Sequence, residues 1–348
     1  SVSAFLLNRS SDLRLLTFIG IIGIELNEVS KTSIFVGILE KYSTIHRFNI
    51  ADFDQRQLTF SEAKTITIKP EDGDLGVTGS GKVKFNGFTE NAADSILDMN
   101  GYSAFNLEKV SELVVNNMTI INATTAHTSN NADSTAEFNN VVFENNDIAI
   151  NNISGSVTLN NVIVKMSTSE HDNSVINNDV MSIKDSQILS HLDNSANGVV
   201  TTTSSEDGQN VFNIINNSGV VNLNGVDTVA EFNNTNDADA EENAKLNTSG
   251  VTSITELTND GDVATSGTTT IDELENRGNV DTDGLKNEFN TIVNNAGGVI
   301  TTGGSQNDFG YVSNSGKINL ASVADSIIEL NNATAESKIG RASSRERV

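Results

Sequence analysis

The chain has 348 residues with no Cys, no Trp and one Pro, and its 46 acidic and 21 basic side chains give a net charge of −25. A charge of this sign repels nucleic acid and anionic membranes, so we exclude non-specific binding to either. The lack of Cys excludes a disulfide framework and leaves the cellular compartment open.

The charge divides the chain into three zones. Residues 1–70 carry about +1, residues 71–337 about −29 and residues 338–348 about +3. The first zone shows no repeat, and we predict that residues 1–79 form an N-terminal cap or an irregular β section. Its apolar stretch at 15–26 is shorter than the roughly 20 residues that a membrane-spanning helix needs, so we expect no direct membrane insertion.

A loose repeat of Asn-rich strands occupies residues 80–205. Its copies begin with an apolar residue and two polar residues, and successive copies lie 21–24 residues apart: 115–120, 138–143, 159–164 and 183–188. We interpret 83–88 as an earlier turn of the same series. Steps of this size predict a β-helix with coils of about 21–24 residues.

A tighter repeat of about 17–20 residues follows in residues 206–337. Each copy places an apolar residue, two residues of any kind, a second apolar residue and one further residue before an Asn. We predict that these asparagines stack coil on coil as an internal hydrogen-bonded ladder. They are Asn216, Asn234, Asn259, Asn276, Asn294, Asn314 and Asn332.

Most tight copies continue with Gly-x-Val/Ile-x-Thr/Leu-x-Gly/Ser. The alternation predicts a short strand, and the leading Gly suits a corner that needs a positive φ. The predicted corner glycines are Gly219, Gly261, Gly278, Gly297 and Gly316. Stacked coils of this kind predict an all-β parallel β-helix or β-solenoid that forms a single elongated rod.

Residues 338–348, ending in RASSRERV, depart from the Asn- and Thr-rich body of the chain. We predict that they are a tail foreign to the natural protein, in which case that protein continues beyond residue 338 and the chain is a fragment. A native basic tail is the alternative.

One tight copy has the spacing of a metal loop. Asn279, Asp281 and Asp283 are spaced like the opening ligands of an EF-hand, but Asn290 stands where the bidentate Glu should be. We therefore interpret the spacing as the period-two alternation of a strand, with both Asp side chains facing solvent. We expect no metal site and no cofactor.

An enzyme is the main alternative function. A polysaccharide lyase or hydrolase on a β-helix needs clustered carboxylates with Arg or Lys on one face. Here the acidic residues fall mostly in corners, and we assign His127, His171 and His191 to solvated turns. We expect no catalysis.

A column of threonines could bind ice or another crystal surface. Its members are Thr248, Thr265, Thr282 and Thr301. Because Leu223 and Leu320 share the column, we predict that it faces the core instead.

The tight repeat resembles the haemagglutinin-type repeats of large bacterial adhesins. The resemblance is carried by Leu274, Asn276, Gly278, Val280 and Gly284, with equivalents at 259–267, 294–303 and 314–322. The larger coils are similar to the passengers of autotransporters and polymorphic outer-membrane proteins, whose short FxxN signature matches 143–146.

The resemblance implies secretion to the bacterial surface and contact with a host or neighbouring-cell protein or glycan. The sequence therefore predicts a secreted or cell-surface adhesive β-solenoid that acts as stalk and binding surface. The alternative is a carbohydrate-active β-helix enzyme.

Overall fold

Parallel strands wind this chain into a β-solenoid of about 11 turns, which confirms the predicted fold class. The structure is a computed structural model that describes residues 82–107, 112–304, 306–322, 324–332 and 338–341, together with short strands before residue 82. Every strand pairing in these ranges is parallel. The one helical element there is a 3-10 helix, Ala92–Asp94, so no described helix is long and apolar enough to cross a membrane.

Five described short strands precede residue 82, and three of them belong to the solenoid sheet. They are β1 (Gly23–Glu25), β2 (Thr44–Ile45), β3 (Arg47–Asn49), β4 (Arg56–Thr59) and β5 (Lys64–Ile68). β1 and β3 pair with each other, whereas β4 and β5 pair in parallel with the strands at 82–86 and 95–98. The predicted boundary at residue 79 is therefore not a break in the sheet.

Eleven described strands, from two to twenty residues long, form the larger coils. The strands are β6 (Lys82–Asn86), β7 (Ser95–Asp98), β8 (Phe105–Leu107), β9 (Glu112–Ile121), β10 (Thr125–Glu144), β11 (Ile148–Asn160), β12 (Ile163–Val164), β13 (Ser174–Asn177), β14 (Val180–Lys184), β15 (Gln187–Asn194) and β16 (Val199–Thr203). The predicted copies align in register, with Val115 beside Phe138, Phe138 beside Leu159 and Leu159 beside Ile183. The early turn predicted at 83–88 also pairs, because β6 lies against β9.

One corner of the larger coils is built from left-handed residues. Asn117 and Asn140 lie within β9 and β10, and Asn161 and Asp185 directly follow β11 and β14. Their φ values are 55°, 54°, 53° and 51°. Asn and Asp tolerate this conformation because their short polar side chains hydrogen-bond locally. The corner side chains also join successive coils, since Nδ2 of Asn140 donates to Oδ1 of Asn117 at 3.0 Å and Nδ2 of Asn161 donates to Oδ1 of Asn140 at 3.2 Å.

Each tighter coil consists of one long and one short strand. The long strands are β17 (Asn210–Asn217), β19 (Val226–Asn234), β21 (Val251–Asn259), β23 (Thr268–Asn276), β25 (Lys286–Asn294), β27 (Asn307–Asn314) and β29 (Asp325–Asn332). The short strands are β18 (Val220–Leu223), β20 (Lys245–Thr248), β22 (Asp262–Thr265), β24 (Asn279–Thr282), β26 (Val299–Thr302), β28 (Lys317–Leu320) and β30 (Lys338–Arg341). Long strands pair with long and short with short, so the two kinds form separate ladders up the solenoid.

The long strand bends in its middle. In β21, the side chains of Thr252, Ile254, Leu257 and Asn259 are buried, so the in-and-out alternation changes phase between Ile254 and Leu257. The pairing of β21 with β19 skips Thr255 at the same place. Each tight coil therefore has three sides, two from the long strand and one from the short strand.

Apolar side chains from the three sides fill the interior. One inward column of the long strands consists of Phe212, Val229, Ile254, Ile271, Phe289 and Phe309, each at most 3% exposed. Phe289 and Phe309 stack with ring centroids 5.4 Å apart. Burial of each such side chain contributes about 1.5–3 kcal/mol, so the core is the main source of stability.

The sheet runs past the predicted end of the solenoid body at residue 337. β30 pairs in parallel with β28, and Ile339 packs against the core. Residues 338–341 thus lie in the ladder, although the sequence assigned them to the tail. The rest of the predicted tail lies outside the described residues.

Candidate functional site

A continuous column of asparagines, buried at every member except the last, is the most distinctive polar feature of the solenoid. From each member except the last, Nδ2 donates to Oδ1 of the next member of the column, on the adjacent coil, at 2.8–3.2 Å. The column consists of Asn152, Asn177, Asn194, Asn217, Asn234, Asn259, Asn276, Asn294, Asn314 and Asn332. It begins in the larger coils and reaches the last long strand.

The same amides also hold the turn between long and short strands. Nδ2 of Asn259 donates to the carbonyl oxygen of Gly261 at 3.1 Å and to that of Asn279 at 3.2 Å. Asn259 is fully buried, and a buried amide without partners would cost several kcal/mol. The column therefore ties each turn to the next coil as well as each side chain to the next.

Six of the seven asparagines predicted for the ladder lie in this column, and the seventh does not. Asn216 is exposed, and its Nδ2 donates to Oδ1 of Asp193 at 2.7 Å. Asn217 takes the place in the column. The sequence also missed the three earliest members, which precede the tight repeat.

A glycine column runs beside the asparagine column. A Cβ on Gly278 would lie 2.0 Å from the carbonyl oxygen of Gly261, and one on Gly261 would lie 2.2 Å from that of Ala244. Gly219 and Gly316 are equally close to a carbonyl of the coil before them. These glycines leave room for the backbone of the neighbouring coil.

We predicted that these glycines supply a positive φ, and this reason is wrong at four of the five positions. Only Gly297 has a positive φ, +93°, and a Cβ there would have one neighbour, at 3.9 Å. Gly298 occupies the close-packed position instead, where a Cβ would lie 2.8 Å from the carbonyl oxygen of Asn276. Steric contact, not conformational freedom, therefore selects Gly219, Gly261, Gly278 and Gly316.

Sequence reasoning missed a second polar column, at the first or second residue of each long strand, which is buried except at its half-buried last member. Its members are Asn210, Asp227, Thr252, Thr269, Asn287, Asn307 and Asp325. Inward threonines of the short strands bond to it, as Thr265 Oγ1 donates to Asn287 Oδ1 at 2.6 Å and Thr302 Oγ1 donates to Asp325 Oδ2 at 2.7 Å. The signal was an Asn, Asp or Thr two residues before the first apolar position.

Two hydroxyls of this network have no hydrogen-bond partner. Thr252 Oγ1 is buried without a hydrogen-bond partner. The equivalent of Thr248 in the preceding short strand is Leu223, which has no hydroxyl to bond to Thr252. Thr282 Oγ1 is also buried without a partner. Each unpartnered hydroxyl reduces stability.

Asp227 carries the buried carboxylate of the second column. It accepts hydrogen bonds from Thr202 Oγ1 at 2.8 Å, Asn210 Nδ2 at 2.9 Å and the Gly225 amide at 3.1 Å. Burial raises the pKa of Asp227, and these three hydrogen bonds oppose the shift. The carboxylate is only 1% exposed, so it is a structural group with no access for a substrate.

The metal candidates lie on the outer face of β24 and at the residue directly after it. Asn279, Asp281 and Asp283 are exposed, while Val280 and Thr282 between them are buried, as the alternation predicted. Asn279 Nδ2 donates to Asp262 Oδ1 at 2.8 Å. Within the described ranges, no group of three or more His, Asp or Glu is arranged to hold a metal ion.

The histidines occupy three different environments. His127 lies in β10, fully buried with its ring 5.1 Å from that of Phe138, and desolvation lowers its pKa to about 3. His191 lies in β15, so the turn assignment is wrong for both and right only for His171. His171 Nδ1 lies 2.8 Å from Asp147 Oδ1 and His191 Nε2 lies 3.1 Å from Asp172 Oδ2.

The threonine column faces the core. Thr248, Thr265 and Thr282 are at most 1% exposed, which agrees with the prediction and leaves these hydroxyls out of reach of a crystal surface. The fourth member is Thr302, because Thr301 pairs with Asp281 on the outer face.

These features define a parallel β-solenoid with two internal polar columns. No known protein family, no curated protein and no solved structure matches the chain. The fold and its polar columns are therefore the basis for assigning a function.

Proposed function

We propose that the protein is a secreted or cell-surface β-solenoid that acts as a stalk and as a binding surface. The observation that supports this function best is the unbroken asparagine column from Asn152 to Asn332. It joins successive coils through side chains in addition to the backbone ladder, and a stalk needs that continuity. At about 4.8 Å per coil, about 11 turns form a rod on the order of 50 Å long.

The outer face supports the second half of the proposal. Inward positions repeat the same residue types, but the outward column changes along the rod from hydroxyls, at Thr228, Ser253 and Thr270, to carboxylates, at Glu288 and Asp308. Variable side chains on a rigid scaffold can display a binding site without loss of the fold. We propose a host or neighbouring-cell surface protein or glycan as the partner.

The acidic surface restricts that partner. Glu231, Glu256 and Glu273 lie side by side on successive strands, and like charges so placed repel each other and any polyanion. A neutral or basic surface fits this rod, and nucleic acid does not. The proposal includes no catalysis, and steady turnover of any acidic or neutral polysaccharide by the purified chain would contradict that part.

Binding to a panel of glycans, matrix proteins and cell surfaces tests the adhesive part. We expect saturable binding to at least one panel member at physiological salt. A triple variant, T228A with S253A and T270A, changes only outward side chains and serves to localise the site. Failure to bind any member would reduce the function to that of a spacer.

Single-molecule stretching tests the stalk separately. We expect the unfolding force to fall when Asn276→Asp interrupts the column, and to stay unchanged for Asn116→Asp on the outer face. Equal forces for both variants would show that the column does not carry the load.

A further inference from the structure

Before its bend, the long strand turns an uncharged face to solvent in three successive coils. In β19, β21 and β23 the outward residues alternate with buried ones, and their side chains there carry only hydroxyl and methyl groups. They pair in register and form a flat grid, about 4.8 Å from coil to coil and about 6.6 Å along each strand. This grid, which we call the neutral face, consists of Val226, Thr228, Val251, Ser253, Thr268 and Thr270.

The central column of the neutral face continues into the neighbouring coils. Val211 pairs with Thr228 and Gln187 pairs with Val211, so five successive coils from β15 to β23 carry an uncharged outward residue there. On the next coil the face ends, at Lys286 and Glu288 of β25. A chain with 46 acidic side chains therefore keeps a continuous part of its rod surface free of charge.

The hydroxyls of the neutral face are available for bonds to a ligand. In other outer rows the side chains bond from coil to coil, as Asn247 Nδ2 does when it donates to Asn222 Oδ1 at 2.8 Å. In the described part of the chain no side-chain hydrogen bond involves Thr228, Ser253 or Thr270. These hydroxyls can therefore donate to and accept from a bound molecule without breaking a bond of the fold.

We propose that the neutral face binds an uncharged glycan whose chain lies along the rod. The inference rests on the adhesive function proposed above, and it selects a neutral glycan from the partner classes named there. Sugar hydroxyls donate and accept hydrogen bonds as those of Thr and Ser do, and the C–H groups of a sugar ring can pack on the methyls of Val226 and Val251. Because successive coils repeat these groups, successive sugars of one chain meet similar contacts.

Charge argues against the other partners of this face. None of its members is a cation that could bind a carboxylate or a sulfate, and the net charge of −25 repels a polyanionic glycan. A basic partner would instead bind past the bend, where Glu231, Glu256 and Glu273 lie side by side.

Geometry argues against a peptide strand and a crystal plane. The two edges of β21 are paired with β19 and β23, so a peptide strand finds no edge to join. A crystal plane would need the same group in every coil, whereas the central column changes from Gln and Val to Thr and Ser. A single glycan chain tolerates this variation because each sugar presents several hydroxyls.

Isothermal titration calorimetry of the full chain with cellohexaose, laminarihexaose and maltohexaose tests the proposal, with hexagalacturonate as the charged control. We expect saturable binding of at least one neutral hexasaccharide, with a dissociation constant that changes little between 50 mM and 500 mM NaCl. The disaccharide of the same linkage should bind about tenfold more weakly, because it contacts fewer coils.

A matched pair of variants locates the site. Val251→Glu places a carboxylate in the neutral face at a residue 56% exposed, and Val180→Glu makes the same change at a residue 43% exposed in the ladder of short strands. We expect Val251→Glu to weaken hexasaccharide binding about tenfold or more, since the contact would desolvate a charge without a cation, and Val180→Glu to leave it unchanged. Unchanged melting temperatures would show that both variants keep the fold.

The possible failures separate this inference from the adhesive function. Equal losses of affinity in the two variants would overturn the location, and tighter binding of hexagalacturonate than of any neutral probe would overturn the partner class. A rod that binds a protein of the adhesion panel but no neutral probe would overturn the inference and leave the adhesive function standing. A rod that binds no glycan, protein or cell surface would overturn both.

Discussion

The larger coils and the tighter coils turn their corners by different physical means. All non-glycine residues with positive φ among those described fall between Asn100 and Asp185, in the larger coils. The tighter coils use glycines whose missing Cβ makes room for a carbonyl oxygen of the coil before. One region bends its backbone with asparagine, and the other packs its backbones more closely with glycine.

This difference also affects where asparagine amides lie. In the larger coils, outer-face asparagines bond from coil to coil, as Asn116 does with Asn86 at 2.8 Å, and they are half-buried. In the tighter coils, the amides of the column are buried and also bond to the turn backbone. The same residue type therefore has a modest effect on stability in an outer row and a large effect in the buried column.

The largest expected effect is at the buried column. Asn276→Asp replaces a donor with a carboxylate beside Asn294 Oδ1 and the Gly278 carbonyl oxygen, which are both acceptors. We expect a loss of about 3–5 kcal/mol in unfolding free energy, measured by urea titration. Asn116→Asp, in the outer row of the larger coils, should cost about 1 kcal/mol. Equal losses would remove the distinction between the two rows.

The next effect is at the glycine corner. Gly278→Ala places a Cβ against the carbonyl oxygen of Gly261, which the neighbouring coil holds in place. We expect a loss of about 3 kcal/mol. The melting temperature should fall accordingly, and an unchanged one would show that the coils can separate locally.

The matched change in the larger coils should be smaller. Asn140→Ala keeps φ near 54° but loses the local hydrogen bonds that favour Asn there. We expect a loss of about 1 kcal/mol, with much of it restored by Asn140→Gly. If Gly were no better than Ala, backbone strain would not explain this corner.

The second polar column offers a substitution that should stabilise the fold. Thr252→Val removes a buried hydroxyl without a partner and keeps the side-chain shape. We expect a gain of about 1 kcal/mol in thermal or urea unfolding. Thr302→Val, which removes a hydrogen bond to Asp325, should instead destabilise the fold.

The smallest expected effect depends on pH. Because burial raises the pKa of Asp227 in the folded state, the folded state binds its proton more tightly than the unfolded state does. The charged carboxylate therefore costs stability above the folded-state pKa, and this cost disappears as pH falls to about 3.8. Relative to Asp227→Asn, the parent chain should lose stability from pH 4 to pH 7. Parallel stability curves would contradict the shift.

The repeat made the fold predictable, but it did not fix every position within a copy. The segment 211–217 has apolar residues at 211, 212, 214 and 215, so two frames fit and the chain uses the one that ends at Asn217. The turn after Asn294 holds two more residues than the turn after Asn276, so either of two glycines could occupy the close-packed position. The register between neighbouring coils determines which frame and which glycine the chain uses. A single copy of the repeat does not reveal that register.

The burial of individual polar residues was also only partly predictable from the sequence. The repeat placed Val280 and Thr282 inside and the two neighbouring Asp residues outside, because alternation alone decides that. It gave no reason to bury Asp227 or His127, whose neighbours in space come from other coils. The carboxylate spacing that suggests calcium is likewise a property of one strand, because Asp281 lies between Ala264 and Thr301 on the neighbouring coils.

All bonds of the asparagine column point the same way. Asn152 Oδ1 is buried at one end without a donor, and Asn332 Nδ2 ends the other. Each amide carries a dipole, and aligned dipoles add, as they do along a helix. The column therefore gives the rod an axial polarity with its partial positive charge at the β29 end, independent of the net charge, and the rod should orient in an electric field.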